Sequence, residues 1–447
     1  MNEATLVREL LERTTVPEPP IGPIAQNAVR AGLRLRRRRR VQAIASGAAA
    51  AAVVCAAALA VAGATGNRAA APAPIPATVY VLAGSQTIGT VTPISTATNR
   101  PGRPIVVWKG NGPGLGTLLA ATPDGKTIWV ADNDDDVTPI STVTNRAEKP
   151  IRVVYERNQR TVQVLAAPDG KTVYVLDSTG AVTPISTATH KRDKPIQVEP
   201  GGNAFGEMAI TPNGKTLYVA LFGGPGSSSV IPIATATNRP GKPIAIPTNA
   251  TAIVIAPNGR TAYVIGHSPV ANTERIQVTP IATATNRPGT PIIVGRGLIA
   301  DDTPVVMTPD GQTIYILHRY TDSSPGGVIP FSIATNTPSK LISFGTAFVE
   351  GIAIAPDGST AYVLSVPARN LCTPGDVTPL ATATNTAGRP IKVGCGSSVA
   401  AFTPDGRTLY VDGQPGTVAP ITTATGRVGR PINVEAPQEI LIVPTPG

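Results

Sequence analysis

Eight times along the chain an aromatic residue is followed directly by an aliphatic one, at Tyr80, Trp129, Tyr174, Tyr218, Tyr263, Tyr315, Tyr362 and Tyr410, at spacings of 44 to 52 residues. Each of these short apolar runs is followed by a Val-x-Pro-aliphatic element, from VTPI at 91–94 to VAPI at 418–421, and then by a Thr-rich tract such as TATNRPGRPI. Ahead of seven of the eight aromatics stands Pro-Asp/Asn-Gly, the first at Pro123-Asp124-Gly125 and the last at Pro404-Asp405-Gly406. Pro presets the first turn position and Gly supplies the positive φ of a tight hairpin, so each copy reads as strand, turn, strand.

Self-similarity at this period predicts propeller blades. Four strands are expected in each, for example at 351–355, 360–364, 377–381 and 390–393. The Tyr80 copy lacks the strand that should precede it, whereas the chain ends in EILIVPTPG at 439–447, which supplies that strand. Pairing the two ends closes the ring and removes the exposed sheet edge an open array would carry. The Pro in every third strand conflicts with an uninterrupted ladder, because Pro has no N–H to donate, and it predicts a bulge or a short outer strand beside it.

Strand alternation places the Pro-Asp-Gly turns and the TATN turns at one end of the ring and all other connections at the opposite end. The first end repeats almost verbatim. The second varies, as GHSPVANTERIQ at 266–277 shows beside DGQPGT at 412–417. Insertions gathered on one face of a repeat array mark its working surface.

Upstream of the repeats, five arginines at 36–40 precede 23 residues without a charge, 41–63. As a helix that stretch reaches about 35 Å, enough to cross a bilayer core of about 30 Å. The positive-inside rule then holds residues 1–40 as a cytosolic basic head and puts the rest outside. Its Ala-rich composition and the triplet Ala60-Val61-Ala62 keep a cleaved signal open beside the preferred uncleaved anchor, and Cys55 reads as a small apolar residue within it. Residues 64–77, rich in Pro and Ala, form a linker. The expected whole is an all-β eight-bladed propeller, 78–447, preceded by a single N-terminal transmembrane helix and displayed outside the cell.

Composition adds limits. With 42% hydrophobic residues the chain can bury a core, and Gly 44 with Pro 46 favours turn-dense β structure over long helices. Half of the net charge of +10 lies in residues 1–40, so the surplus over the other 407 residues reads as an ordinary mixed surface; nucleic-acid binding would need a coherent basic stripe.

Candidate chemistry is sparse. Asp132, Asp134 and Asp136 offer oxygen ligands for Ca²⁺ but lack the Gly and the distal Glu of an EF-hand loop, so a solvated acidic loop is the preferred reading and no cofactor is expected. The three histidines, His190, His267 and His318, show no metal-ligand spacing, and His190 sits at the repetitive end. Trp108 and Trp129 are too few for the recurrent Trp motif of quinoprotein dehydrogenases, and neither a G-x-S-x-G elbow nor a Walker-type loop occurs. Glu274, His267, Asp301, Asp302 and His318 mark the variable face as the binding face. Cys372 and Cys395 fall in connections of one repeat at that same end; outside the cytoplasm they are expected to form a disulfide, closing a loop of about 20 residues for about 3 kcal/mol.

The pattern PDGKTxYV…VTPIxTATNxxxxPI resembles the YVTN family of β-propeller repeats across residues 78–447. It departs from that family in lacking Thr-Asn after Tyr-Val: YVLA, WVAD, YVLD, YVAL, YVIG, YILH, YVLS and YVDG stand there. The acidic-amphipathic head, Arg run and Ala-rich span resemble single-pass membrane proteins of actinobacteria. Scaffold and loop face together suggest a non-catalytic module meeting a protein, a cell-wall glycan or a small ligand. The resemblance also implies two alternatives, a hydrolase of the lactonase type and a DNA-binding propeller.

Overall fold

The computed structural model describes residues 75–445 except 85–87, 110–117, 133–135, 154–160, 199–204, 223–227, 269–274, 298, 300–304, 319–324, 346, 368–373, 414–415 and 436. Eight separate antiparallel sheets follow one another along the chain, and in all but the first the strands run in sequence order from the inside outward. Blade 7 is representative: an inner strand Ala347–Ile354, a second Thr360–Pro367, a third Pro374–Ala381, and an outer strand in two pieces, Thr386–Ala387 and Ile391–Cys395. This is the expected eight-bladed, four-stranded propeller.

Closure is as the chain ends foretold. The inner strand of blade 1 is Pro437–Pro444, paired antiparallel with Ala77–Gly84 in the register Val79↔Ile442, Tyr80↔Leu441, Val81↔Ile440. The Thr445 N–H adds a bond to the Pro76 carbonyl at 2.9 Å.

The break in the outer strand has a single cause. In blade 1 the third-strand Pro93 faces Tyr80 across the ladder, while its carbonyl points the other way and accepts from the Gly102 N–H at 2.7 Å. Its nitrogen faces the same outer side and has no proton to give. The outer strand therefore pairs at Arg100–Pro101, detaches for three residues, and resumes at Ile105–Lys109. The same carbonyl bond recurs in all eight blades, at Pro139, Pro184, Pro232, Pro280, Pro330, Pro379 and Pro420.

Second strands are buried on both faces because each blade is covered by its neighbours, which explains runs such as TIWVA and TVYVLD that do not alternate. Apolar clusters accordingly span two blades: Tyr80, Leu82 and Val91 of blade 1 pack with Leu119, Ile128 and Ile140 of blade 2.

Candidate functional site

The repetitive end is built from the turns themselves. In each Pro-Asp/Asn-Gly turn the Asx Oδ1 accepts from the backbone N–H two residues on, as Asp124 does from Lys126 at 3.1 Å, and the Gly N–H returns to the carbonyl three residues back. The glycine serves two purposes. Gly311 lies at φ 67°, and a Cβ there would come within 2.7 Å of Pro257 Cδ in the preceding blade's turn. The Thr of the neighbouring tract fastens this turn to the next: Thr142 Oγ1 donates to the Gly125 carbonyl at 2.6 Å, and Thr187, Thr235, Thr283, Thr382 and Thr423 repeat the bond.

A second device crosses between blades. The Asn of TATN adopts positive φ, from 51° at Asn145 to 55° at Asn286, and four of these Asn side chains accept from the aromatic of the preceding blade. Tyr80 Oη donates to Asn145 Oδ1 at 2.8 Å, Tyr218 to Asn286 and Tyr315 to Asn385 at 2.7 Å, and Tyr410 of blade 8 to Asn99 of blade 1 at 2.5 Å. Where the aromatic is Trp129 the partner is His190, also at positive φ, edge-on at 5.2 Å between ring centroids and itself 3.0 Å from Glu148. The departure from Tyr at Trp129 thus meets a departure from Asn at His190; the other departure, Gly426, leaves Tyr362 Oη donating to the Thr423 carbonyl at 3.5 Å. Burial pushes the phenols of Tyr80, Tyr174, Tyr315 and Tyr410 up to about 12, so they stay protonated, as the bonds donated by Tyr80, Tyr315 and Tyr410 require.

The inner strands carry polar groups that sequence reading missed. Glu439 accepts from the Leu119 N–H of the next blade at 3.1 Å and Glu207 from Ile253 at 2.8 Å; Gln163 accepts from the Met208 N–H at 2.5 Å and donates to its carbonyl at 3.2 Å. Burial raises the Glu439 carboxyl well above its ordinary range. All three stitch adjacent blades around the axis.

At the variable end, the structure brings His267 and His318 to one connection, 296–299. His267 Nε2 accepts from the Ile299 N–H at 2.9 Å. The ring nitrogens of His318, 2% exposed, lie 2.8 Å from the Arg296 carbonyl and 3.1 Å from that of Pro325. Both side chains of the expected binding face therefore hold backbone in place. Asp132 is buried and its Oδ1 accepts from the Asp136 N–H at 2.9 Å, which closes that connection. Asp412, not singled out by its sequence, does similar work, accepting from the N–H groups of Ser398 and Val399 at 2.8 Å each. Cys395 ends its strand opposite Pro374, two residues from Cys372 in sequence. Asp134, Glu274, Asp301, Asp302 and Cys372 lie outside the described residues, as does the segment 41–63. Among the described residues no helix is long and apolar enough to cross a membrane, and no three His, Cys, Asp or Glu side chains gather as metal ligands.

No protein-family model matches the chain, and no curated sequence does. Solved structures do. A hydrazine synthase of Kuenenia stuttgartiensis is similar at 20% identity and TM-score 0.53, over 69% of this chain and 95% of that one. The dihydro-heme d1 dehydrogenase NirN matches at 14% identity and TM-score 0.65, over 86% and 78%. The Dos1 propeller matches at 10% and 0.57, over 72% and 84%. At such identities the likeness is one of fold, and the fold is an eight-bladed β-propeller.

Proposed function

We propose that the chain is a membrane-anchored, extracytoplasmic propeller of the YVTN-repeat kind that binds a protein, a cell-wall glycan or a small ligand through its variable end and performs no catalysis itself. The observation that carries this reading is the division of labour between the two ends. At the repetitive end the backbone of the Pro and Gly residues and the side chains of Asx, Thr and Asn make turn and inter-blade bonds, which accounts for the sameness of the repeat without a ligand. The connections at the other end differ in length and composition from blade to blade on top of an unchanging ladder.

Location outside the cytoplasm carries a chemical consequence, the Cys372–Cys395 disulfide. The propeller contains these two cysteines and no others, so thiol titration of the denatured 75–447 fragment, purified under non-reducing conditions from the envelope, is expected to read none. Two titratable thiols would contradict the location. For the function itself, the 75–447 fragment is immobilised and offered envelope extract, and in parallel assayed against a panel of lactones. Specific retention of an envelope component with no turnover is the expected outcome; turnover without retention would put the hydrolase reading first.

A further inference from the structure

The even spread of charge expected from the sequence does not hold in three dimensions. Fourteen exposed Lys and Arg side chains stand in the eight TATN tracts against two acids, Glu148 and Asp193. They fall in two registers. One is the residue after the positive-φ position, filled by Arg100, Arg146, Lys191, Arg239, Arg287 and Arg427; the other lies in the break of the outer strand, as at Arg103, Lys242 and Arg430. Every blade contributes at least one. Counting the Pro-Asp/Asn-Gly turns as well, the repetitive end carries nineteen basic against seven acidic residues, while the rest of 77–447 carries nine against seventeen.

The chain also joins the ring at this cationic end. Ala77 exchanges bonds with Thr96 of the first TATN tract, its N–H donating to Thr96 Oγ1 and its carbonyl accepting from the Thr96 N–H, both at 3.2 Å. A segment of 14 residues, 64–77, separates that point from the uncharged stretch 41–63, a reach of at most about 50 Å when fully extended.

We infer that the two-track belt is a docking surface for an anionic lipid bilayer and that the propeller stands on the membrane by its repetitive end, presenting the variable end away from it. A closed circle of cations at one end of a ring matches a flat sheet of acidic headgroups, where each Lys or Arg near the surface adds attraction. A nucleic-acid duplex is a rod and meets only part of such a circle. The tracts also contain no Phe, Tyr or Trp on which single-stranded bases could stack. The orientation rests on the membrane-anchor reading above, whereas the affinity of the belt for anionic lipid does not.

The test uses the 75–447 fragment, which contains every strand of the closed ring, including the pairing of 77–84 with 437–444. Co-sedimentation is measured with vesicles of phosphatidylcholine alone and of phosphatidylcholine doped with phosphatidylglycerol. Binding is expected to the doped vesicles only, and to vanish at about 1 M salt, where screening acts within about 3 Å. The variant R100T/R146T/R239T/R287T is expected to bind up to about a thousandfold more weakly. Its melting temperature should not move, since Thr337 and Thr386 already occupy this register in blades 6 and 7. Equal binding to both vesicle types, an unaffected variant, preference for duplex DNA at equal phosphate concentration, or stacking of one ring's cationic end on another's acidic one in place of lipid would each overturn the proposal. Carbonate extraction of the full chain from membranes tests the anchor separately, because the fragment lacks it.

Discussion

Deleting residues 437–447 is expected to abolish the folded ring rather than trim it. Those residues supply the whole inner strand of blade 1, with Ile440, Leu441 and Val443 at 3%, 5% and 2% exposure. Burial of three such side chains is worth about 5–9 kcal/mol, comparable to the about 5–15 kcal/mol that holds a typical domain together. The deletion also strips Ala77–Gly84 of its inner partner and opens a strand edge beside blade 2. Calorimetry should show no cooperative transition, and sedimentation should show association through the open edge. A truncated chain that melts like the parent would refute the closure. A milder change probes the same strand. Because the Glu439 carboxyl is raised by burial, its contribution is fully present below its unfolded value near 4.5 and declines as pH rises through the folded one. Glu439→Gln keeps an acceptor for the Leu119 N–H, so the variant should be more stable than the parent at neutral pH and not at pH 4. A loss of stability at neutral pH that disappears at pH 4 would show instead that the ionised carboxylate is required.

The second large effect is alkaline collapse. Four phenols pushed from 10.0 to about 12 by burial bind protons in the ring that the unfolded chain has already released. Their contribution is intact below pH 10 and is lost between pH 10 and 12, at about 1–2 kcal/mol for each group, less than the full shift because solvent reaches the part-buried hydroxyls. Four such losses are a large part of the stability of a typical domain. Phenolate absorbance and circular dichroism should therefore change together in one cooperative step. Tyr80→Phe/Tyr410→Phe removes the bonds to the exposed Asn145 and Asn99, at a cost of about 0.5–1.5 kcal/mol each at neutral pH, but should narrow the gap to the parent as the pH rises. Phenols that titrate near pH 10 in a ring whose circular dichroism is unchanged would mean that these latches are exposed.

Architecture was legible because it repeats. The period of the aromatic residues set the blade number, the orphaned first copy pointed to the tail as its partner, and the Pro in each third strand foretold an interrupted outer strand. What the repeat concealed was division in space. A surplus averaged over 407 residues hid the belt, although its two registers can be read from the residues after each TATN. Inner-strand groups such as Gln163, Glu207 and Glu439 share one register, opposite the residue two after the Tyr, but were not legible because Leu118, Ala252 and Gly351 fill that position in other blades. His267 and His318 were read as surface chemistry because their two partners come from a connection between blades, 296–299, which no periodicity places.

The claim on which the functional reading turns is that one end of the ring holds it together while the other meets the partner. Capture from detergent-solubilised envelope at high salt, where the cationic belt is screened, separates the ends. Replacing 269–274 and 319–324 by Asn-Gly turns should abolish retention and leave the melting temperature in place, whereas R100T/R146T/R239T/R287T should retain the same component as the parent. Retention that survives the shortened connections would contradict the account.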